Sequence, residues 1–182
     1  LCRPIAEVLG RLGAEHVMVV HSADGLDEIS IAAETYVAEY KLGVLSEYSL
    51  LPEDFFGRRQ TLDGLCVDNA EQSLKLIFSA LDGNISKAAD LISINAGAAL
   101  YVAGCVQTIN EGVSLAQKAI SSGDASRKTS DEAIEHAKTK SPRGTRADGR
   151  GELVKTLMNT QVGYLIDWIG FRLSRNEEPF LM

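Results

Sequence analysis

Three carboxylates within five positions are the residues of this sequence best suited to chemistry. Asp24, Asp27 and Glu28 surround Gly25 in the stretch HSADGLDEIS, residues 21–30. Adjacent carboxylates offer several oxygens to a hard cation, and Mg²⁺ typically takes one or two carboxylates together with water and substrate phosphates. Acidic residues around an Asp-Gly pair are equally typical of a solvated turn. Spacing alone leaves both alternatives open, a metal–phosphate loop and a solvent-exposed turn.

A helix and a strand precede this acidic loop. The short, β-branched run Val17–Val20 predicts a buried strand. An apolar periodicity that begins at Pro4 predicts a helix stopping at Gly13. The stripe consists of Ile5, Val8, Leu9 and Leu12. Helix, strand and acidic loop form a common α/β arrangement, in which ligands bind outside the carboxyl ends of the strands.

Period-two alternation after the loop predicts further strands. They are Ile29–Ala32, Thr35–Tyr40 and Val44–Leu50, with Gly43 in a hairpin turn between the last two. Glu39 is expected on a solvated face of this hairpin.

Capping patterns predict two amphipathic helices in the second half of the chain. Asn69 with Gln72, and Thr108 with Glu111, have capping-box spacing ahead of apolar stripes that end at glycines. Between them, residues 90–103 are apolar on nearly all sides, which predicts a buried helix. Its Asn95 must find partners, because an unsatisfied buried amide costs about 1–3 kcal/mol. We expect it to cross-link neighbouring backbone.

A series of motifs runs through the first part of the chain. They are LCRPIAEVL at 1–9, LGAEHVMVVH at 12–21, DGLDEIS at 24–30, YSLLPEDF at 48–55, NAGAALYVAG at 95–104, EGV at 111–113 and AISSG at 119–123. In this order they resemble the C-terminal half of anthranilate phosphoribosyltransferase, over roughly residues 1–128. The resemblance implies an α/β fold, the C-terminal part of a phosphoribosyltransferase/nucleoside-phosphorylase-like sheet domain with flanking helices.

The resemblance also implies a reaction and a metal. The family transfers the phosphoribosyl group of phosphoribosyl pyrophosphate to anthranilate, with release of pyrophosphate, in tryptophan biosynthesis. Its metal-binding Asp-Glu pair falls on Asp27 and Glu28, which implies Mg²⁺ as cofactor. In the family the glutamate serves both metal ions and the aspartate one. The family usually has His-Gly where this chain has His21-Ser22, a mild departure.

Several family features have no counterpart in this sequence. It contains neither Gly-Thr-Gly-Gly-Asp nor Lys-His-Gly-Asn, and the anthranilate-binding residues and the helical region of the family homodimer belong to the half that is missing. The sequence therefore predicts a fragment, starting at Leu1 inside a family element, that is not competent alone. No catalytic or cofactor-binding residue is assigned besides the metal pair. Anthranilate and phosphoribosyl pyrophosphate are expected as partners of the complete enzyme.

Two alternatives to this function remain. A pyrimidine nucleoside phosphorylase-like enzyme shares the architecture, although the Asp-Gly-Leu-Asp-Glu string fits the anthranilate enzyme better. A non-catalytic interaction module would instead use the tail of the chain, where residues 153–173 have helical apolar spacing.

The net charge of the chain changes sign near residue 126. Residues 1–125 carry a net charge of −9 and residues 126–182 carry +2. We predict a partial α/β domain at 1–125, a polar basic linker at 126–152 and an amphipathic tail of unknown fold at 153–182. The basic linker has no aromatic residues on which bases could stack, so nucleic acid is not an expected partner.

Composition places the protein among globular chains. Of its 182 residues 45% are hydrophobic and 24% charged, which is ordinary for a folded domain. Three cysteines without Cys-x-x-Cys spacing indicate reduced thiols rather than a zinc or redox site. No apolar run reaches the roughly 18 residues of a membrane span, and no basic and apolar leader is visible. We expect a cytoplasmic protein with no membrane partner.

Overall fold

The computed structural model describes residues 1–84 and 86–130, apart from the side chain of Ala70. Its elements are α1 (Cys2–Arg11), β1 (His16–Ser22), β2 (Thr35–Lys41), β3 (Val44–Leu50), α2 (Glu53–Phe56), α3 (Ala70–Leu81), α4 (Lys87–Val102) and α5 (Ile109–Ser121). Residues 124–130 are also helical. Within these described ranges, every helix falls short of the length and apolar character that a bilayer crossing requires.

The three strands form one antiparallel sheet in the order β1-β2-β3. Val20 lies opposite Val37, and Val37 lies opposite Tyr48. Leu42 and Gly43 form the two-residue turn between β2 and β3, with φ of 48° and 88°. Two positive φ angles match the right-handed twist of a hairpin. The predicted hairpin at Gly43 is therefore confirmed.

Helices cover the two faces of this sheet. Successive strand residues point to opposite faces of a sheet. The contacts of the neighbours Glu39 and Tyr40 therefore show which helix covers each face. Tyr40 lies against Gly10 of α1, whereas Glu39 bonds Tyr101 of α4. This mixed arrangement of helices around a sheet agrees with the predicted α/β class.

Helices α4 and α5 pack at unusually close range. A Cβ added to Gly97 would lie 2.5 Å from the Val113 backbone nitrogen, and one added to Gly112 would overlap the Gly97 carbonyl oxygen. Ile94 and Val113, from the two helices, form one core cluster with Ile29 of the acidic loop. The same core that joins the helices therefore anchors the loop.

The helix predictions are largely confirmed. The Asn69 side chain accepts from the Gln72 amide at the start of α3, and Thr108 with Glu111 makes a complete capping box on α5. Helix α4 is buried along most of its length, as predicted.

One predicted strand is wrong. Residues 29–32 belong to no strand, and the chain bends at residues 31 and 32. Ile29 pairs its backbone with the Asn95 side chain, and the Ser30 amide donates to the Thr35 hydroxyl. Their backbone groups are thus satisfied without a neighbouring strand, so the apolar alternation reflects burial in the core.

Two expectations about exposure are corrected as well. Glu39 is only 7% exposed, because it lies on the same face as Val37 and meets polar side chains there. The predicted buried strand is half-buried from His16 to Val20, since β1 is an edge strand of the described sheet.

Helix α1 turns its small residues toward the sheet. Ala6 is fully buried and Gly10 contacts the Tyr40 ring. The larger apolar residues of the predicted stripe face outward, with exposures of 46% for Ile5, 54% for Val8, 38% for Leu9 and 78% for Leu12. The outer face of α1 is thus apolar and uncovered by the described residues.

Two of the three predicted regions fall largely outside the described residues. Residues 126–130, the first of the predicted linker, are helical. The remainder of the linker and the tail at 153–182 lie beyond them.

Candidate metal centre

The acidic loop begins with a tight turn at the end of β1. Ser22 donates its amide to the Leu26 carbonyl at 3.0 Å and accepts from the Gly25 amide at 3.0 Å. Gly25 has φ of 93°, a conformation that residues with a Cβ rarely adopt. This glycine therefore lets the chain reverse directly after the strand.

The Asp24 carboxylate makes hydrogen bonds within the loop. It accepts from the Ser30 hydroxyl at 2.6 Å and from the Leu26 amide at 3.3 Å. Burial alone would raise the pKa of Asp24, but hydrogen bonds from the Ser30 and Ser22 side chains and from the backbone outweigh it and lower the pKa below its ordinary value. The carboxylate is ionised and engaged, so it ties the first half of the loop to the second.

Asn95 holds the other end of the loop. Its Oδ1 accepts from the Ile29 amide at 2.9 Å, and its Nδ2 donates to the Ile29 carbonyl at 2.9 Å. Nδ2 also donates to the Leu91 carbonyl at 3.0 Å within α4. The predicted cross-link to neighbouring backbone is confirmed, and its partner is the residue that follows Glu28.

Asp27 and Glu28 lie between the part of the loop that Asp24 holds and the part that Asn95 holds. Asp27 is exposed and Glu28 is half-buried. Among residues 1–84 and 86–130, no side chain donates a hydrogen bond or offers a cation to either carboxylate. Partial burial, and then the negative charge of Asp27, raise the pKa of Glu28 above its ordinary value. Two carboxylates that repel each other without a counter-charge suit a divalent cation.

The pair supplies only part of a coordination shell. Within the described ranges, no group of three or more His, Cys, Asp or Glu side chains is placed to hold a metal ion. A site with two carboxylates fits Mg²⁺, which retains several waters and binds substrate phosphates. It does not fit a structural zinc site, which takes four protein ligands.

His21 does not join the candidate site in this structure. It lies exposed at the end of β1, and none of the hydrogen bonds between described residues involves its ring. The neighbouring Ser22 is fully buried, and its hydroxyl donates to the Glu34 carbonyl at 3.3 Å.

A second cluster of titratable groups was not predicted. The Glu39 carboxylate accepts from the Tyr48 and Tyr101 hydroxyls, both at 2.8 Å, and contacts the His16 Nε2 at 2.7 Å. Burial alone would raise the pKa of Glu39, but these bonds lower it below its ordinary value. Lys41 completes the cluster above the Tyr101 ring, 4.4 Å from its centroid. The signal was present, because Glu39 shares strand parity with the buried Thr35 and Val37.

Comparison with known proteins identifies the family of this domain. The family model described as "Glycosyl transferase family, a/b domain" matches residues 1–126. The chain belongs to this family. Within it, the chain is 59% identical over 132 residues to the anthranilate phosphoribosyltransferase of Ectopseudomonas mendocina, covering 70% of this chain and 38% of that protein. The enzyme of the same name from Cellvibrio japonicus is 55% identical with the same coverage.

Solved structures agree with this assignment to the glycosyl transferase family. Anthranilate phosphoribosyltransferase from Thermus thermophilus aligns with a TM-score of 0.59 and 28% identity, over 89% of this chain and 39% of that one. A Saccharomyces cerevisiae enzyme of the same name, with Mg bound, gives a TM-score of 0.56 at 23% identity over 68% and 37%. The latter likeness concerns the fold.

These findings confirm the resemblance predicted from the motifs. They give no support to a nucleoside phosphorylase or to an interaction module. The chain spans less than two fifths of the curated relatives named here. A second family model, described as "Pup-ligase protein", matches residues 106–172. That match covers less than half of the chain and reaches into the tail, where the motifs show no resemblance.

Proposed function

We propose that this chain is a part of an anthranilate phosphoribosyltransferase, in which Asp27 and Glu28 are carboxylate ligands of Mg²⁺. The observation that carries the proposal is the placement of these two carboxylates, unpartnered within the described residues and fastened at both ends of their loop. The names of relatives at 59% and 55% identity support the reaction. The Mg in the yeast structure supports the metal.

The chemistry needs charge neutralisation at the departing pyrophosphate. Bound Mg²⁺ would supply it by polarising phosphate oxygens. The part of this chain is to hold two anionic oxygens side by side and to keep Asp24 out of the coordination shell. Such prearranged charges stabilise a transition state without reorganising as the reaction proceeds.

The proposed activity requires residues that this sequence does not contain. It has no glycine-rich phosphate loop of the family type, and most of the E. mendocina enzyme has no counterpart in it. We therefore expect no turnover by the chain alone. The partner that completes it is the remaining portion of a family chain, and the outward apolar face of α1 supports packing against such a portion.

Complementation tests this function. The 182-residue chain is mixed with the separately produced N-terminal portion of the E. mendocina enzyme, and anthranilate consumption is followed by fluorescence with phosphoribosyl pyrophosphate and Mg²⁺. We expect activity only in the mixture. Asp27→Asn or Glu28→Gln should abolish it, whereas Glu34→Gln, which removes one negative charge from the same connection between β1 and β2, should not. Turnover that is unchanged by Asp27→Asn and by Glu28→Gln contradicts the proposed metal role.

The role of α1 has its own variant. Val8→Asp places a charge on the exposed apolar face and should weaken complementation, because charge is costly in an apolar contact. Gln117→Asp adds the same charge to an exposed position of α5 and should leave complementation unchanged. Equal effects of the two would show that α1 is not the contact.

We also infer a cytoplasmic location for the proposed enzyme. Cys2, Cys66 and Cys105 are free thiols, and reduced cysteines are the usual state in that compartment.

A further inference from the structure

The bond between Asn95 and Ile29 is unusual for its position. Asn95 is 9% exposed on the buried helix α4, and Ile29 is 2% exposed in the loop. The side-chain amide satisfies both backbone groups of Ile29, at 2.9 Å each. Without this amide, the backbone groups of so deeply buried a loop residue would lose their water without gaining a hydrogen-bond partner, which is unfavourable.

The third bond of Asn95 fixes which way its amide points. Nδ2 donates to the Leu91 carbonyl as well as to the Ile29 carbonyl. A flipped amide would set an oxygen against two carbonyl oxygens and an NH₂ group against the Ile29 amide. One orientation is therefore selected, and the backbone after Glu28 is held in one place.

The opposite end of the loop is equally constrained. Asp24 accepts from the Leu26 amide and from the hydroxyl of Ser30. Ser30 also receives the amides of Ala32 and Ala33. Leu26 and Ile29 are thus both fastened, and the two residues between them are Asp27 and Glu28.

We propose that Asn95 is a positioning residue for the metal ligands, setting the separation of the Asp27 and Glu28 carboxylates through Ile29. This inference rests on the proposed function, since it assumes that the pair binds a divalent cation. Like charges repel each other. If the loop were held at one end only, the two carboxylates should therefore move apart and bind a cation with lower affinity. Partners that orient metal ligands typically contribute 10–100-fold to affinity.

Mn²⁺ binding to the purified 182-residue chain tests the proposal without any catalytic assay. Free Mn²⁺ is measured by electron paramagnetic resonance during titration. Asn95→Ala should weaken binding about tenfold or more. Ser93→Ala is the matched control, because Ser93 is a fully buried polar residue of the same helix that donates to the Ala89 carbonyl and not to the loop. It should leave the Mn²⁺ affinity unchanged.

A second measurement on the wild-type chain remains decisive if Asn95→Ala does not fold. Coupling between two sites is reciprocal, so Mg²⁺ should slow hydrogen exchange of the Ile29 amide. An unchanged exchange rate at Mg²⁺ saturation overturns the proposal, as does wild-type Mn²⁺ affinity in folded Asn95→Ala.

Failure of the proposed function looks different. Mn²⁺ binding that is absent, or that survives Asp27→Asn and Glu28→Gln together, overturns the metal role and the positioning role with it. Normal binding through the pair with no effect of Asn95 overturns only the positioning role.

Discussion

Substitution of Gly97 by alanine tests the close packing of α4 on α5. The new Cβ would lie 2.5 Å from the Val113 nitrogen, 2.8 Å from the Val113 Cγ2 and 2.9 Å from the Gly112 carbonyl carbon. Two of these are backbone atoms, which cannot rotate away. To reach an ordinary contact near 3.4 Å, α5 must move by about 0.9 Å.

The expected cost follows from two opposing effects. Overpacking typically costs about 1–3 kcal/mol and reaches the upper end where rigid atoms collide. Alanine regains about 1 kcal/mol of helix propensity over glycine. We therefore expect Gly97→Ala to lower the free energy of unfolding by about 2 kcal/mol. At a urea dependence of about 2 kcal/mol per molar, the unfolding midpoint should fall by about 1 M.

Gly10→Ala provides the comparison for this experiment. Its Cβ would also come close to another group, 2.6 Å from the Tyr40 ring. That ring is the far end of a half-buried side chain and can turn aside. The loss should therefore stay below about 1 kcal/mol. A Gly97→Ala chain as stable as wild type, or a larger loss from Gly10→Ala, would refute this view of the helix contact.

Three further predictions concern stability, all measured by urea unfolding. Glu39→Gln should cost about 2–4 kcal/mol at neutral pH, because three donors lose an anionic acceptor. The folded state lowers the pKa of Glu39, so its stabilisation is present above the ordinary glutamate pKa and is lost as pH falls through the lowered one. The gap between wild type and Glu39→Gln should accordingly narrow as the pH is lowered below the ordinary glutamate pKa, and a gap that widens would contradict this. Thr108→Ala should cost about 1 kcal/mol by removing the α5 cap, whereas Ser114→Ala should change stability by less than about 0.5 kcal/mol. Arg3→Ala should cost less than about 1 kcal/mol, because its ion pair with Glu47 is exposed.

Local signals explain which parts of the fold were predictable. Capping boxes and hairpin turns depend on residues a few positions apart, so Thr108 with Glu111 and the turn at Gly43 can be recognised in the sequence. Burial of α4 follows from its nearly continuous apolar surface. These features required no knowledge of the tertiary structure.

Partners distant in sequence explain most of the errors. The run 29–32 has the alternation of a strand, but the backbone of Ile29 is satisfied by the side chain of Asn95, 66 residues away, rather than by a neighbouring strand. Because Glu39 is charged, it is expected to be exposed to solvent. Val37, two residues earlier on the same face of β2, is nevertheless buried, and Glu39 is buried with it. Its partner Tyr101 lies 62 residues away, and no local pattern reveals such a pairing.

The residues of the candidate site could be proposed from the sequence, but the hydrogen bonds that position them could not. The family resemblance indicates Asp27 and Glu28 as the metal pair, whereas their spacing alone fits a solvated turn equally well. Asp24 has the same chemistry in the sequence, and only the Ser30 and Leu26 contacts show that it supports the loop. The apolar stripe of α1 correctly predicts a helix but does not show which face of it packs on the sheet. Small residues such as Ala6 face the sheet, because they can approach it more closely than large ones.

The link between Ile29 and Asn95 also determines when, during folding, the acidic loop can take shape. It spans 66 residues of sequence, and closing a chain segment of that length costs about 4 kcal/mol in entropy. Contacts of such long range are made late and lower the folding rate. Asp27 and Glu28 are therefore adjacent from synthesis onward, but their geometry is acquired only when α4 docks. The proposed divalent-cation affinity should then disappear in step with tertiary structure along a denaturant titration, so that a bound cation would report the native state rather than act as a template for it.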